Sequence, residues 1–348
     1  MSPRPARRPT QADIARLAGV SQATVSLVLN ERDADVRISP STRQRVLNVM
    51  REWGYVANPS ARSLAGGHNR IIGVYTFEPV FPTTSHDFYF PFLLGMEQEA
   101  AELGYDLLLF TSAGGGRQIF RDGSTRLALA DGALLLGRDP NLEEIERLRD
   151  SGYPFVYVGH REVSGAPVSY VAADYTGATQ QLTERLFELG HERVAYARLG
   201  DADALPSRDR EKGFRRAAAR RLAGPVWTLE SLSEVDGLVG EMVRGGVTGV
   251  VAEQQLLAEE ILACARRRDL SVPEDLSIAV LGDSTGARGG ETDWTGLVVP
   301  REHMGRQATR LLVQLLEDPE TTAQSENVSC PLTPGATVGP PTEGTSRR

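Results

Sequence analysis

Apolar positions in the first 55 residues recur at helical spacing in three short bursts: Ile14/Leu17/Ala18, Val25/Val28/Leu29 and Val46/Val49/Met50/Trp53. Capping chemistry marks the limits of each. Thr10, with Asp13 three residues on, makes a capping-box-like start, and Gly19 ends the first helix. Ser21 caps a second helix running to about Asn30. After the polar loop "ERDADVRI", Ser39 and Pro40 open a third helix that Gly54 closes. In "NPSARSLAGG", Asn58 caps and Pro59 starts a very short helix stopped by Gly66 and Gly67.

From Arg70 the period changes. "RIIGVYTF", "YDLLLFT", "DGALLLG", "YPFVYVG", "ERVAYARL", "VTGVVAE", "DLSIAVLG" and "TGLVVP" read as strands, and helical patterns fall near 91–103, 141–151, 176–190, 208–222, 256–268 and 302–317. Runs that are apolar on both faces and alternate with helices indicate parallel sheets covered on both sides. Eight or more strands over some 270 residues fit two doubly wound units better than one. The closing "PLTPGATVGPPTEGTSRR" is rich in Pro, Gly and Thr, and residues 336–348 read as a disordered tail.

Composition narrows the function classes. The chain's 348 residues exceed one core, and 41% apolar with 24% charged residues is ordinary for a globular protein. No apolar run approaches the roughly 18 residues of a membrane span. Arg4, Arg7 and Arg8 have no apolar segment behind them, so no secretory signal is read and the cytoplasm is the expected compartment. Cys264 and Cys330 lack Cys or His neighbours at metal-ligand spacing and read as buried small apolar residues; neither a metal nor a cofactor is expected.

The net charge of −8 conceals an asymmetry. Residues 1–68 hold ten arginines against five carboxylates, a net of +5, which leaves −13 on the remaining 280 residues. That is the footprint of a small polyanion-binding head on an acidic body. Two helices joined across a tight Gly-containing turn make a helix-turn-helix, whose second helix enters the major groove by its N-terminal residues. With Val25, Val28 and Leu29 turned inward, that helix exposes Gln22, Ala23, Thr24, Ser26 and Leu27. Gln pairs with adenine, Ala and Leu contact a thymine methyl, and Ser and Thr suit phosphates. "NPSARSLAGG" is far shorter than a helix that persists alone in water. It fits either a flexible linker or a helix that folds only when supported.

These segments resemble the lactose-repressor/galactose-repressor (LacI/GalR) family of bacterial transcription regulators. The likeness rests on "TQADIARLAGVSQATVSLVLN", "ISPSTRQRV", "WGYVANPSARSLAGG", "LGHERVAYARLG", "REKGFRRA", "VPEDLSIAVLGD" and "MGRQATRLLVQLL". It implies a helix-turn-helix head over residues 1–57, a hinge helix over 58–69, and a periplasmic-binding-protein-like body over 70–335 with crossovers near 172 and 297. It also implies a homodimer or tetramer on pseudo-palindromic double-stranded DNA, a small-molecule effector, most often relieving repression, and no membrane partner. For the head it implies DNA contacts by Thr10, Ser21, Gln22, Ala23, Thr24, Ser26, Leu27, Asn30 and Tyr55. For the hinge it implies contacts by Asn58, Ser60, Ala61 and Arg62, with Leu64 wedged into the minor groove. Leu27 stands where the family often carries a base-reading Arg, Lys or His.

In the body the resemblance implies an effector site of Phe88, Tyr89, His160, Asp174, Arg210, Gln255 and Asp283. Arg210 would clamp hydroxyls or a carboxylate, and Phe88 or Tyr89 would stack on the ligand. Read alone, Arg210 also suits a salt bridge on an arginine-rich helix. The effector the resemblance implies is a sugar or related metabolite, but the family's Asn-Asp pair is replaced by Gln254 and Gln255, and its Gly-aromatic-Asp-Asp run by Val280, Leu281, Gly282 and Asp283. Two carboxylates that accept from sugar hydroxyls are thus missing, which leaves a less hydroxylated or different effector, or none, as alternatives. No phosphate-binding loop, dinucleotide fingerprint or G-x-S-x-G elbow occurs, the histidines form no motif, and no enzyme is expected.

Overall fold

The computed structural model describes residues 9–29, 38–55, 69–78, 88–110, 118–121, 124–137, 140–200, 202–219, 221, 223–283, 292–318 and 320–342. The segment 58–69 read as a hinge therefore lies, apart from Asn69, outside the described residues. So does Asn30.

Among the described residues, three helices form the head: α1 (Gln11–Ala18), α2 (Gln22–Leu29) and α3 (Pro40–Trp53). The caps are those the sequence marks. Thr10 and Asp13 complete a reciprocal capping box, and Gly19 and Gly54 close α1 and α3 with left-handed backbones. Ile14, Val25 and Val46, one from each helix, meet with no solvent exposure, each stabilising the head by about 1.5–3 kcal/mol. Arg45 Nε donates to the Ala18 carbonyl over 2.8 Å, so α3 satisfies one of the orphan acceptors at the end of α1.

Among the described residues the body contains two six-stranded sheets. The first has the order β13-β7-β6-β5-β1-β2, with β1 (Ile71–Thr76), β2 (Asp106–Phe110), β5 (Gly132–Leu136), β6 (Phe155–Val158), β7 (Tyr170–Ala173) and β13 (Ser325–Val328). The second runs β14-β12-β11-β10-β8-β9, with β8 (Val194–Leu199), β9 (Ala223–Leu229), β10 (Gly249–Ala252), β11 (Ser277–Asp283), β12 (Thr295–Leu297) and β14 (Leu332–Thr333). A two-stranded ribbon, β3 (Phe120–Arg121) with β4 (Ser124–Thr125), stands apart. Registered pairs such as Val74↔Leu134 and Val250↔Ile278 are parallel, and the buried faces are built from Val, Leu, Ile and Ala.

The helices α4 (Phe90–Glu102), α5 (Leu142–Asp150), α6 (Tyr175–Glu188), α7 (Leu205–Ala218), α8 (Val235–Arg244), α9 (Gln255–Arg267) and α10 (Arg301–Glu317) connect the strands. The chain leaves the first sheet after β7, returns after β12 and leaves again between β13 and β14, one passage more than the two expected near 172 and 297. α4 and α10 touch backbone to backbone. A Cβ on Gly95 would stand 1.9 Å from the Glu302 carbonyl oxygen, and one on Gly305 2.2 Å from that of Phe92.

The disordered tail expected over 336–348 is corrected for residues 336–342. The Ala336 N–H donates to Asp293 over 2.7 Å, Thr337 is 4% exposed and exchanges bonds with the backbone of Ile278, and the Thr342 N–H donates to Glu274. His191 Nε2 meets the Gly339 carbonyl at 2.9 Å. Proline and glycine lower the odds of a helix or strand but leave carbonyls and N–H groups able to pair with a sheet already in place. Cys264 and Cys330 are both buried and unoxidised, as read from their isolation in the sequence.

Candidate DNA-reading helix and effector cleft

At the head of α2, Ser21 Oγ accepts the Thr24 N–H at 3.1 Å and lies 2.8 Å from the Thr24 hydroxyl. Thr24 thus braces the helix start. Gln22 and Ala23 are exposed, and Ser26 and Leu27 are half-buried on the same helix. The Gln22 amide rests on Gln11 Oε1 at 3.3 Å, which orients it from α1. Thr10 spends its hydroxyl on Asp13, at 2.7 Å, and Tyr55 packs against the head core. Asn58, Ser60, Ala61, Arg62 and Leu64 fall outside the described residues, as does the side chain of Asp283.

Near the carboxyl ends of the parallel strands, the position at which doubly wound sheets bind ligands, Arg210 meets Glu253 and Tyr175, and His160 meets Asp209. Arg210, on α7, donates from Nη1 to Glu253 Oε1 at 3.2 Å and lies over the Tyr175 ring at 4.0 Å; its side chain is 14% exposed. Glu253 follows β10 and is 3% exposed. It also accepts from Ser207 Oγ at 2.5 Å and Tyr196 Oη at 2.6 Å. Burial, then the neighbouring Glu253 charge, pushes the Tyr196 hydroxyl far above its usual range, so it remains a donor.

His160, beyond β6 in the first subdomain, reaches Asp209 on α7 in the second: Nδ1 to Oδ2 is 2.9 Å. Hydrogen bonding to Asp209 raises the His160 pKa against the opposing effect of burial. Arg161 beside it donates to the Gly137 carbonyl and to Tyr157 Oη and lies over the Tyr157 ring, fixing the floor of the first sheet's strand ends.

The other expected residues have visible local tasks. Asp174 caps α6 by accepting the Gly177 N–H at 2.8 Å. Tyr89 is buried, with its hydroxyl on Glu78, whereas Phe88 is 39% exposed under the Arg301 guanidinium at 4.6 Å, which makes Phe88 the more accessible of the two aromatic candidates. Gln255 donates to Glu259, and Gln254 clamps the backbone of Leu199 by accepting its N–H and donating to its carbonyl. Sequence reasoning passed over Glu253, Ser207, Tyr196 and Asp209. The available signal was Glu253 itself, a carboxylate directly behind the apolar run "GVVA".

No group of three or more metal-ligating side chains gathers among the described residues, and no helix there is long and apolar enough to cross a membrane.

Three family models match the chain: "Bacterial regulatory proteins, lacI family" over residues 10–58, "Periplasmic binding proteins and sugar binding domain of LacI family" over 78–226, and "Periplasmic binding protein-like domain" over 183–338. The HTH-type transcriptional regulator CelR of Thermobifida fusca is 33% identical over 88% of this chain and 92% of its own. A solved "transcriptional regulator CelR-cellobiose complex" superposes with a TM-score of 0.59 at 28% identity, over 95% of this chain and 100% of that one. The lac repressor dimer bound to operator and the anti-inducer ONPF gives a TM-score of 0.65 at 20% identity, over 96% and 100%, a likeness of fold.

Proposed function

The chain belongs to the lacI family of bacterial regulatory proteins and is a helix-turn-helix transcriptional regulator, and from that premise we propose that it is a cytoplasmic repressor whose grip on its operator is relaxed by a sugar bound between the two sheets of the body. The observation that carries the reading is the nearly buried pair of Arg210 and Glu253 where the parallel strands end, with the Tyr175 ring under the guanidinium and the Ser207 and Tyr196 hydroxyls on the carboxylate. An aromatic face with a few convergent polar groups suits a hydroxylated ring. The CelR relative, solved with cellobiose, supports the same class of ligand.

Two heads on one dimer supply the operator contact. Gln22, Ala23 and Leu27 read base edges, Ser21, Thr24, Ser26 and Thr10 take the phosphate backbone, and Leu64 of the 58–69 segment wedges between base steps of the minor groove. Genomic footprinting with the full chain, followed by release of the protected fragment by cellobiose, maltose and xylobiose, tests the reading. At least one sugar should release the fragment; protected DNA that no sugar affects, with no thermal stabilisation by any of them, contradicts it. In the same assay Leu64→Ala should weaken operator binding about tenfold or more, a loss of about 1.4 kcal/mol, and leave random-sequence binding unchanged. An unchanged operator affinity would reduce the segment to a linker.

A further inference from the structure

The charge of Arg210 is already balanced from within the protein. Its Nη1 lies 3.2 Å from Glu253 Oε1, and its guanidinium covers the Tyr175 ring at 4.0 Å. Glu253 is the more buried partner and is anchored at both oxygens, by Ser207 on Oε1 and Tyr196 on Oε2. Three donors from β8 and α7 thus converge on one carboxylate placed by β10. Such a pair adds no net charge to the cleft, and separating it would strand a charge in a poorly solvated site. Arg210 Nε, buried and without a partner, leaves a second edge of the guanidinium for a ligand, but a carboxylate or phosphate taking it would sit beside Glu253 and bring a negative charge that the pair, already neutral, leaves uncompensated. Hydroxyls face no such conflict, since they donate to a carboxylate and accept from a guanidinium.

The remaining charges described around the cleft do not reverse this balance. Asp209 is paired with His160, Asp174 caps α6, Glu78 accepts from Tyr89, and Arg161 is turned to carbonyl and ring partners. Arg301 lies over the Phe88 ring, and Arg198, over the Tyr196 ring, is paired with Glu211.

Resting on the sugar reading above, we propose that Glu253 is a specificity-determining residue, an internal counter-ion that restricts the cleft to uncharged, hydroxylated effectors and rejects their carboxylate counterparts. It acts through Arg210. Glu253→Gln keeps the size of the side chain and one oxygen for Ser207, turns its NH2 to the Tyr196 oxygen, which can accept it, and leaves the guanidinium charge unbalanced and open to an anion.

The test pairs each neutral sugar with its acid, glucose with glucuronate, cellobiose with cellobionate and maltose with maltobionate, titrated into the full-length protein by calorimetry. In the parent the neutral member of any binding pair should bind at least about tenfold more tightly. In Glu253→Gln that preference should fall about tenfold or invert. A parent that binds both members within twofold overturns the proposal, and so does a preference unmoved by the substitution. Should no member of any pair bind, the sugar reading falls, and acetate decides the Glu253 claim separately. Acetate should raise the melting temperature of Glu253→Gln but not of the parent or of the double variant Glu253→Gln/Arg210→Gln. Equal acetate responses in all three would contradict the claim. The parent's own preference needs no variant, so a Glu253→Gln protein that fails to fold leaves the proposal exposed to disproof.

Discussion

His160 and Asp209 join the two subdomains through one short contact, and its strength must depend on pH. The His160 pKa is raised, first by its hydrogen bond to Asp209, with burial and Arg161 opposing and Glu162 at 3.8 Å adding to the rise. A group whose folded pKa exceeds its unfolded value contributes stability that is complete below the unfolded pKa of about 6.5 and fades as pH climbs through the folded one. The melting-temperature gap between the parent and His160→Gln should therefore be widest near pH 5.5 and shrink toward pH 8.5. A gap that stays constant would show that the pair is a neutral hydrogen bond throughout. His191 has the opposite sign. Burial lowers its pKa, and its neutral ring donates from Nε2 to the Gly339 carbonyl and accepts from Thr248, so its contribution holds above about 6.5 and is lost as pH falls.

Among the elements, α4 and α10 make the tightest demand. Gly95 and Gly305 face the opposite backbone at distances no Cβ tolerates, so Gly95→Ala must push the helices apart. The expected loss is about 1–3 kcal/mol of body stability, seen as a lower thermal midpoint. An unaltered midpoint would mean that the helices do not approach so closely in solution. The same scale shows what could be read from sequence. Helices whose apolar stripe is regular, α6 and α10 among them, were legible to within a few residues. The elements overlooked include α8, which holds Gly237 and Gly240, the two-residue strands β3, β4 and β14, and three longer strands, β7, β9 and β13. β7 is only Tyr170–Ala173, β9 contains Gly224 and Pro225 at a sheet edge, and β13 reads Ser-Glu-Asn-Val with alternate positions exposed. Edge strands need neither an unbroken apolar run nor freedom from proline, so periodicity misses them. The candidate site follows the same division. Arg210 and His160 were reachable by resemblance, whereas Glu253 and Asp209 acquire their meaning only when β10, β6 and α7 are folded together.

At the scale of the whole molecule, charge is segregated between parts with different tasks. Residues 1–68 carry +5 against −13 on the rest, so affinity for DNA should depend on the head and fall steeply with salt. A protein lacking residues 1–68 should remain folded, because both sheets and their helices lie beyond that point, and should bind no DNA. A truncated body that still shifted the operator would refute the division.

The central claim is that the body's ligand and the head's DNA are coupled, and coupling is reciprocal: each must alter the other's affinity by the same factor. The direct measurement is operator affinity by fluorescence anisotropy at zero and saturating cellobiose, maltose or xylobiose, together with sugar affinity at zero and saturating operator. We predict that at least one sugar raises the operator Kd about tenfold or more, that the operator raises that sugar's Kd by the same factor, and that random DNA shows neither effect. A sugar that binds the body but leaves operator affinity within twofold would contradict the account.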